Sequence, residues 1–390
     1  MTGIGLLDTI IYIAIVILIL MFMITVHELG HYLAGKMLGF KINEFAIGFG
    51  KPIFKKVSKK TGEVFSVRWL PLGGFCAFAG DEAAAGEGGS RTDAKEREEK
   101  GETPVPRGVE FAKQPPWKRL IVLFAGGFFN FICAIIFAAV LMMILGYYQS
   151  VRFNGVIEGN PNNFDGIVAI HGAGTTENNV KRFTMLTSLE SVTTGLSPTD
   201  EIWLRVEYAD GEFDTKGGFF LFRPEPDARL TLGLKDRTNW SHPMGFFNAI
   251  VYGAWFCLEV AWMLLTFLFL LITGQVGLFG NVGGPTATVA IMYDMVSISI
   301  VRSIFILVPL ISVNLALFNL LPIPALDGAR MVFIGIEWIR KKPINPVIEG
   351  RIHLYGMIAL LAFVVIADIG FWIVGGSGAE IILLYGRLLL

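Results

Sequence analysis

Four long apolar stretches govern what this 390-residue chain can fold into. Between Asp8 and His27 stand eighteen uncharged residues, nearly all apolar. At about 1.5 Å per residue they rise through most of a hydrocarbon core roughly 30 Å thick. Residues 120 to 148, 303 to 321 and 352 to 376 are apolar over comparable lengths. Composition agrees: 53 % of the residues are apolar without counting the 45 glycines, whereas soluble domains reach about 45–50 % only with glycine included. The expected class is a polytopic α-helical membrane protein with about four transmembrane helices. No Lys or Arg precedes Lys36 and no small-residue cleavage site follows, so the first stretch reads as a span and not as a removable signal.

Charge orients the spans. Fifteen Lys and Arg fall between Lys41 and Arg119, and Arg330, Arg340, Lys341, Lys342 and Arg351 crowd the link between the last two spans. By the positive-inside rule both loops are cytoplasmic, which turns residues 149 to 240 and both termini outward. Residues 81 to 107 are charged and rich in Gly, Ala and Glu, with no apolar period to bury, and read as a mobile linker. The net charge of −1 leaves no cationic excess for nucleic acid. Cys76, Cys133 and Cys257 lie far apart, so neither a disulfide framework nor a cysteine zinc site is expected, and five histidines are too few for multi-histidine iron boxes. Residues 249 to 273 are apolar enough to span, but no Lys or Arg occurs between Arg237 and Arg302, so charge does not orient them.

Chemistry enters at the inner end of the first span, where His27-Glu28-Leu29-Gly30-His31 forms an HExxH motif. Two histidines four apart lie on one face of a helix and can share one zinc ion, and the glutamate beside the first can serve as general base. The alternative is a solvated cap at the membrane interface. Two imidazoles and a carboxylate set into an apolar helix are costly in lipid, which favours a functional group. A catalytic zinc of this kind takes a third protein ligand and keeps one open position. A candidate is Asp327 in Asn319-Leu320-Leu321-Pro322-Ile323-Pro324-Ala325-Leu326-Asp327-Gly328, where the prolines stop a helix, although Asp before Gly is more often a plain turn.

HELGH at 27–31 together with NLLPIPALDG at 319–328 resembles the site-2 proteases, intramembrane zinc metalloproteases, and most closely their bacterial RseP-like branch. Phe45-Ala46-Ile47-Gly48-Phe49-Gly50 and Pro71-Leu72-Gly73-Gly74-Phe75 resemble that branch's membrane-reentrant β-hairpin region, which in the family lies beside the substrate. Gly126-Gly127-Phe128-Phe129-Asn130 resembles its GPxxN stretch, with Gly127 where a proline is usual, and Ala329 replaces the second glycine of the LDG motif. The resemblance implies zinc as cofactor on His27, His31 and Asp327, with Glu28 as the catalytic glutamate. It also implies substrate contacts at Asn319, Asn130, Gly73 and Gly74, although an ordinary interhelical hydrogen bond is as good a reading of either asparagine. Asp165-Gly166-Ile167-Val168-Ala169-Ile170-His171-Gly172 resembles a PDZ hairpin, and Ile202-Trp203-Leu204-Arg205-Val206 alternates like a following strand, so the outward region reads as one reduced, β-rich PDZ-like domain. His171 and His242 then count as surface or packing residues.

The implied organisation is a first transmembrane helix with HExxH (1–40), a cytoplasmic-side reentrant β region and linker (41–119), and a second transmembrane helix (120–148). An extracytoplasmic domain (149–240), interfacial or half-inserted helices (241–302) and a third transmembrane helix with the LDG motif (303–328) follow. A cytoplasmic loop (329–351), a fourth transmembrane helix (352–376) and a tail (377–390) complete it. Bringing Asp327 to the depth of His27 requires an even number of crossings between residue 148 and residue 303. Either residues 249–273 lie in the outer leaflet, the favoured reading, or residues 282–300 cross back with them. The expected activity is intramembrane cleavage of transmembrane protein or peptide substrates, such as anti-sigma factors or remnant signal peptides, in a bacterial inner membrane with the site toward the cytoplasm. A catalytically silent binding homologue would lack a ligand or the glutamate, and a zinc transporter would spread its acidic and histidine groups along a path.

Overall fold

The computed structural model describes residues 6–81, 106–145, 149–156, 164, 166–183, 192, 196–222, 234–240, 244–275, 284–298 and 300–373. Most of the linker at 81–107, together with Asp165, His242 and the tail at 377–390, therefore lies outside the described residues. Two compact units emerge, one from the chain up to Phe137 and from Val260 to Ile373, the other from Ala138 to Glu259.

In the first unit the apolar stretches become helices because lipid leaves the backbone no other way to satisfy its N–H and C=O groups. They are α1 (Leu6–Met37), α2 (Pro116–Leu145), α3 (Phe246–Ile272), α4 (Pro285–Ile298), α5 (Ile300–Leu320), α6 (Asp327–Arg340) and α7 (Pro346–Ile373), with α2 and α3 each running between the two units. Five of them are long and apolar enough to cross a membrane: α1, α2, α3, α5 and α7. That is one more than the four expected, and the additional one, α3, is the segment on which the charge rule is silent. Pro116 opens α2 at a helix start, where its missing N–H costs nothing.

Between α1 and α2 the chain forms β1 (Ile42–Val57) and β2 (Val64–Phe78). Residues 42–47 of β1 lie between two segments of β2, so that Ala46 pairs with Phe75 on one side and Ser66 on the other, while Phe54 to Val57 pair with Val67 to Val64. Strands doubled this way must turn sharply, and Gly48, Gly50 and Gly73 supply φ values of 84°, 84° and 100° that other residues resist. Residues 74–78 are left at one edge. Alternate side chains at the start of β1 are buried, and Ile42, Phe78, Tyr32, Phe111, Val122 and Ile334 share one core that anchors the sheet on α1, α2 and α6. Within the sheet the buried Glu44 carboxylate accepts from Ser66 and from Arg68, the latter at 2.7 Å.

The second unit holds an antiparallel sheet of six strands: β3 (Gln149–Val156), β4 (Ile167–Gly174), β5 (Lys181–Arg182), β6 (Glu201–Tyr208), β7 (Phe213–Phe220) and β8 (Leu234–Trp240). Their order is β7-β6-β4-β3-β8, with β5 paired to β4. The alternation read in residues 202–206 is the buried face of β6, where Ile202, Leu204 and Val206 pack with Ile170, Phe183 and Phe219. His171 pairs with Glu207 at this sheet.

Candidate metal centre

The helical periodicity of HExxH places His27 and His31 one turn apart on α1, both 7 % exposed. Their Nε2 atoms stand 3.1 Å from each other. Asp327 brings its Oδ2 to 3.1 Å from His27 and 3.2 Å from His31. It is the first residue of α6, released by the Pro322–Pro324 turn that ends α5. Three residues separated by up to 300 positions thus converge, each with one metal-competent atom.

The donor set fits a zinc ion. Ligand atoms at about 2.0–2.2 Å in tetrahedral array are about 3.3–3.6 Å apart, close to the edges of this triangle. His31 donates its Nδ1–H to the Val122 carbonyl at 2.8 Å, which leaves the Nε2 lone pair directed at the triangle. Asp327 adds the one carboxylate oxygen of the set to the two imidazole nitrogens. Space is reserved by what is missing at Gly126. A Cβ there would lie 2.5 Å from Cε1 and Nε2 of His31 and 2.7 Å from Cε1 of His27. Glycine in the middle of a helix is otherwise unfavourable. The same economy brings α1 onto α2, since a Cβ on Gly30 would stand 2.9 Å from the Ala125 carbonyl carbon, and α2 onto α5, since one on Gly127 would stand 3.1 Å from the Ala316 oxygen.

The triangle opens onto a cavity of about 480 Å³. Glu28, Cys76, Asn319, Arg330 and His353 are in its wall. Gly74, on the edge segment of β2, approaches Glu28, whose Cγ would be 3.4 Å from a Cβ built at that position. Of the residues singled out from sequence, His27, Glu28, His31, Asp327 and Asn319 gather at the cavity, and Gly74 adjoins it. Gly73, with positive φ, packs against Phe49. Asn130 does not line the cavity; it is fully buried, and its side-chain amide finds no partner among the described residues.

Gly126 falls in the stretch read by resemblance, but the space it leaves for the imidazoles has no sequence signal, and neither do three further residues at the site. Gly126 works by absence and Val122 through its backbone. Asp81 and Arg330 form a pair of 2.5 and 2.6 Å contacts, with Arg330 one helical turn after Asp327. Both contacts come from one guanidinium nitrogen, Nη2, which sits between the two carboxylate oxygens in a charge-assisted, mostly buried pair.

Sequence comparison places the arrangement. Residues 15–363 match peptidase family M50. The chain is 28 % identical to Metalloprotease MmpA of Caulobacter vibrioides over 90 % of its length and 92 % of that protein's. It is 26 % identical to the Regulator of sigma-W protease RasP of Bacillus subtilis, over 87 % of the chain and 93 % of RasP. With FN1322 of Fusobacterium nucleatum, whose name assigns it provisionally to the zinc metalloproteases, identity is 29 % over 91 % of the chain and 96 % of that protein. A buried His-His-Asp triangle, a polytopic helical frame and a match over most of the chain agree, and the protein belongs to peptidase family M50, the site-2 type of membrane zinc metalloprotease.

Proposed function

We propose that the protein is an intramembrane endopeptidase that cleaves transmembrane segments of other membrane proteins, with His27, His31 and Asp327 holding zinc and Glu28 as the catalytic glutamate. The convergence of the two imidazoles and the carboxylate, within 3.2 Å of one another at the foot of a membrane helix, carries this reading. Bound there, zinc supplies Lewis-acid polarisation of the scissile carbonyl and lowers the pKa of water toward about 7. Glu28 takes the proton of the attacking water and passes it to the leaving amine. Val122 keeps His31 in the tautomer that leaves Nε2 free.

A helical substrate hides its amides in its own hydrogen bonds and must unwind before attack. The edge of β2 at residues 74–78, beside Glu28, offers N–H and C=O groups that hold it extended, which is β-strand addition at membrane depth. In this reading β1 and β2 are a reentrant hairpin, Gly73 and Gly74 keep its edge free of bulk, and Asn319 and Asn130 hold substrate or the surrounding loops. In the same reading the antiparallel sheet within residues 149 to 240 belongs to a reduced PDZ-like domain on the outer side, and the basic loops support a site toward the cytoplasm of a bacterial inner membrane. RasP is named as a regulator of sigma-W. An anti-sigma-type membrane protein, or a remnant signal peptide, is the corresponding substrate class here.

Measuring bound zinc beside cleavage of a single-span reporter separates the roles. His27→Ala, His31→Ala and Asp327→Ala lower zinc occupancy, whereas Glu28→Gln keeps zinc and loses cleavage. Full proteolysis by purified Glu28→Gln protein would refute the assignment.

A further inference from the structure

Asp327 has no cap to steady it: Leu326 before it makes no side-chain capping bond, and the preceding link is a short turn. That turn also holds Ala325 at φ 83°, one of two non-glycine residues with positive φ among the described residues. An L side chain adopts this conformation only where its surroundings over-determine it. The surroundings here are one face of α7. Ala325 donates its backbone N–H to Nδ1 of His353 at 3.0 Å. One turn along the same face, Gly356 lets Pro324 close on the helix, since a Cβ there would lie 3.1 Å from both Cα and Cγ of Pro324. His353 is 9 % exposed and has the Phe333 ring edge-on at 5.6 Å. Its hydrogen bond goes to the turn, at Ala325.

We propose that His353 is the positioning residue for Asp327: by accepting the Ala325 N–H it holds the strained turn that delivers the carboxylate to the two histidines. The proposal rests on the reading of Asp327 as a metal ligand. Nδ1 acts as an acceptor, so the ring carries its hydrogen on Nε2, and any replacement must offer an acceptor at the same reach. Asparagine does, because its Oδ1 is bonded to Cγ as Nδ1 is. Leucine fills similar space with no acceptor. The strain gives an independent handle, because a glycine at 325 adopts positive φ without being held there.

The test is zinc affinity of the purified full-length protein in detergent, read by competition with a chromogenic chelator. His353→Leu should weaken zinc binding about 10- to 100-fold, the usual loss when a group behind a ligand is removed. His353→Asn should stay within a few-fold of the parent. Ala325→Gly should restore most of the affinity lost in His353→Leu, and His353→Leu should cost nothing further in an Asp327→Ala background, since both act through one carboxylate. If His353→Leu does not yield folded protein, His353→Gln, with its acceptor one bond too far out, replaces it and should behave as leucine does. Parent-like affinity in His353→Leu, a failure of asparagine to substitute, or no rescue by Ala325→Gly overturns the proposal. The two readings fail differently. Zinc binding that survives Asp327→Ala removes the ligand assignment, whereas zinc lost in Asp327→Ala but kept in His353→Leu removes the positioning role alone.

Discussion

At the scale of single residues, the site depends on what is absent as much as on what is present. Gly126→Ala puts a methyl group 2.5 Å from the His31 ring without changing any ligand. Zinc occupancy and cleavage should fall together, cleavage by about a hundredfold if the rings are displaced by roughly 1 Å, while the helical circular dichroism of detergent-solubilised protein stays at the parent level. Parent-like activity in that variant would mean that the helices part at no cost. The Asp81–Arg330 pair, 5 % and 16 % exposed at its side chains, yields a prediction about stability. Asp81→Ala removes the carboxylate from a mostly buried ion pair and should cost about 3–5 kcal/mol, whereas the double change Asp81→Leu with Arg330→Met should cost less than either single one. Denaturant unfolding measures both, and strictly additive losses would show that the two side chains do not act as a pair. The two histidines and the glutamate are legible from local periodicity. Asp327 lies 300 positions from His27; the prolines before it make it a candidate and only the family resemblance makes it a ligand, because spacing does not encode a contact at that distance. Gly126 stands in a stretch that resembles the family, but its role, like those of Asp81 and His353, leaves no pattern in the chain: a glycine's missing atom, a partner across two elements and an acceptor for a backbone N–H are contacts, not spacings.

At the scale of elements, alternation in Val64-Phe65-Ser66-Val67-Arg68-Trp69 identifies a strand, and the glycines on either side announce sharp turns. Which strands neighbour one another is another matter. Residues 42–47 pair on both sides, with 64–67 and with 74–78, and a period of two says nothing about partners. The pairing leaves 74–78 as an edge segment, with Gly74 beside Glu28. Single prolines placed along 74–78 remove outward N–H groups at alternate positions. If that edge holds unwound substrate, those positions should lose cleavage of a helical transmembrane segment about fivefold more than cleavage of an unstructured peptide, the effect of one hydrogen bond at about 1 kcal/mol. Rates for both substrates on the same preparations decide the matter, and equal losses on the two would count against substrate pairing.

At the scale of the whole molecule, the question is on which side of the membrane α3 ends. His353 contacts Ala325 beside the metal centre, and Asp368 follows it by fifteen residues, about 22 Å further along α7. There Asp368 accepts from the Thr286 hydroxyl at 2.7 Å and the Ala287 N–H at 3.3 Å, so α4 begins about 22 Å along α7 from the metal centre, at the opposite membrane face if α7 crosses as its length allows. With Ile272 at the inner face, the twelve residues between Ile272 and Pro285 would have to return the chain across lipid, whereas twelve residues rise only about 18 Å even as a helix. The start of α3 points the same way. Met244 donates its N–H to the Met142 carbonyl at 3.3 Å, and the Gly253 backbone rests against Ala138 and Ala139. Nine residues of advance along one chain, about 13 Å if helical, match three or four along α2, about 5 Å, so the start of α3 lies at a steep angle to α2 and not alongside it. Length and hydropathy could not separate these cases, because an outer-leaflet helix and a crossing helix bury similar apolar surface. A cysteine replacing Gln275, in protein whose Cys76, Cys133 and Cys257 have been changed to serine, should therefore react with an impermeant thiol reagent added outside intact cells. Reaction confined to the cytoplasmic side would make α3 a crossing helix and require a further return crossing before α5.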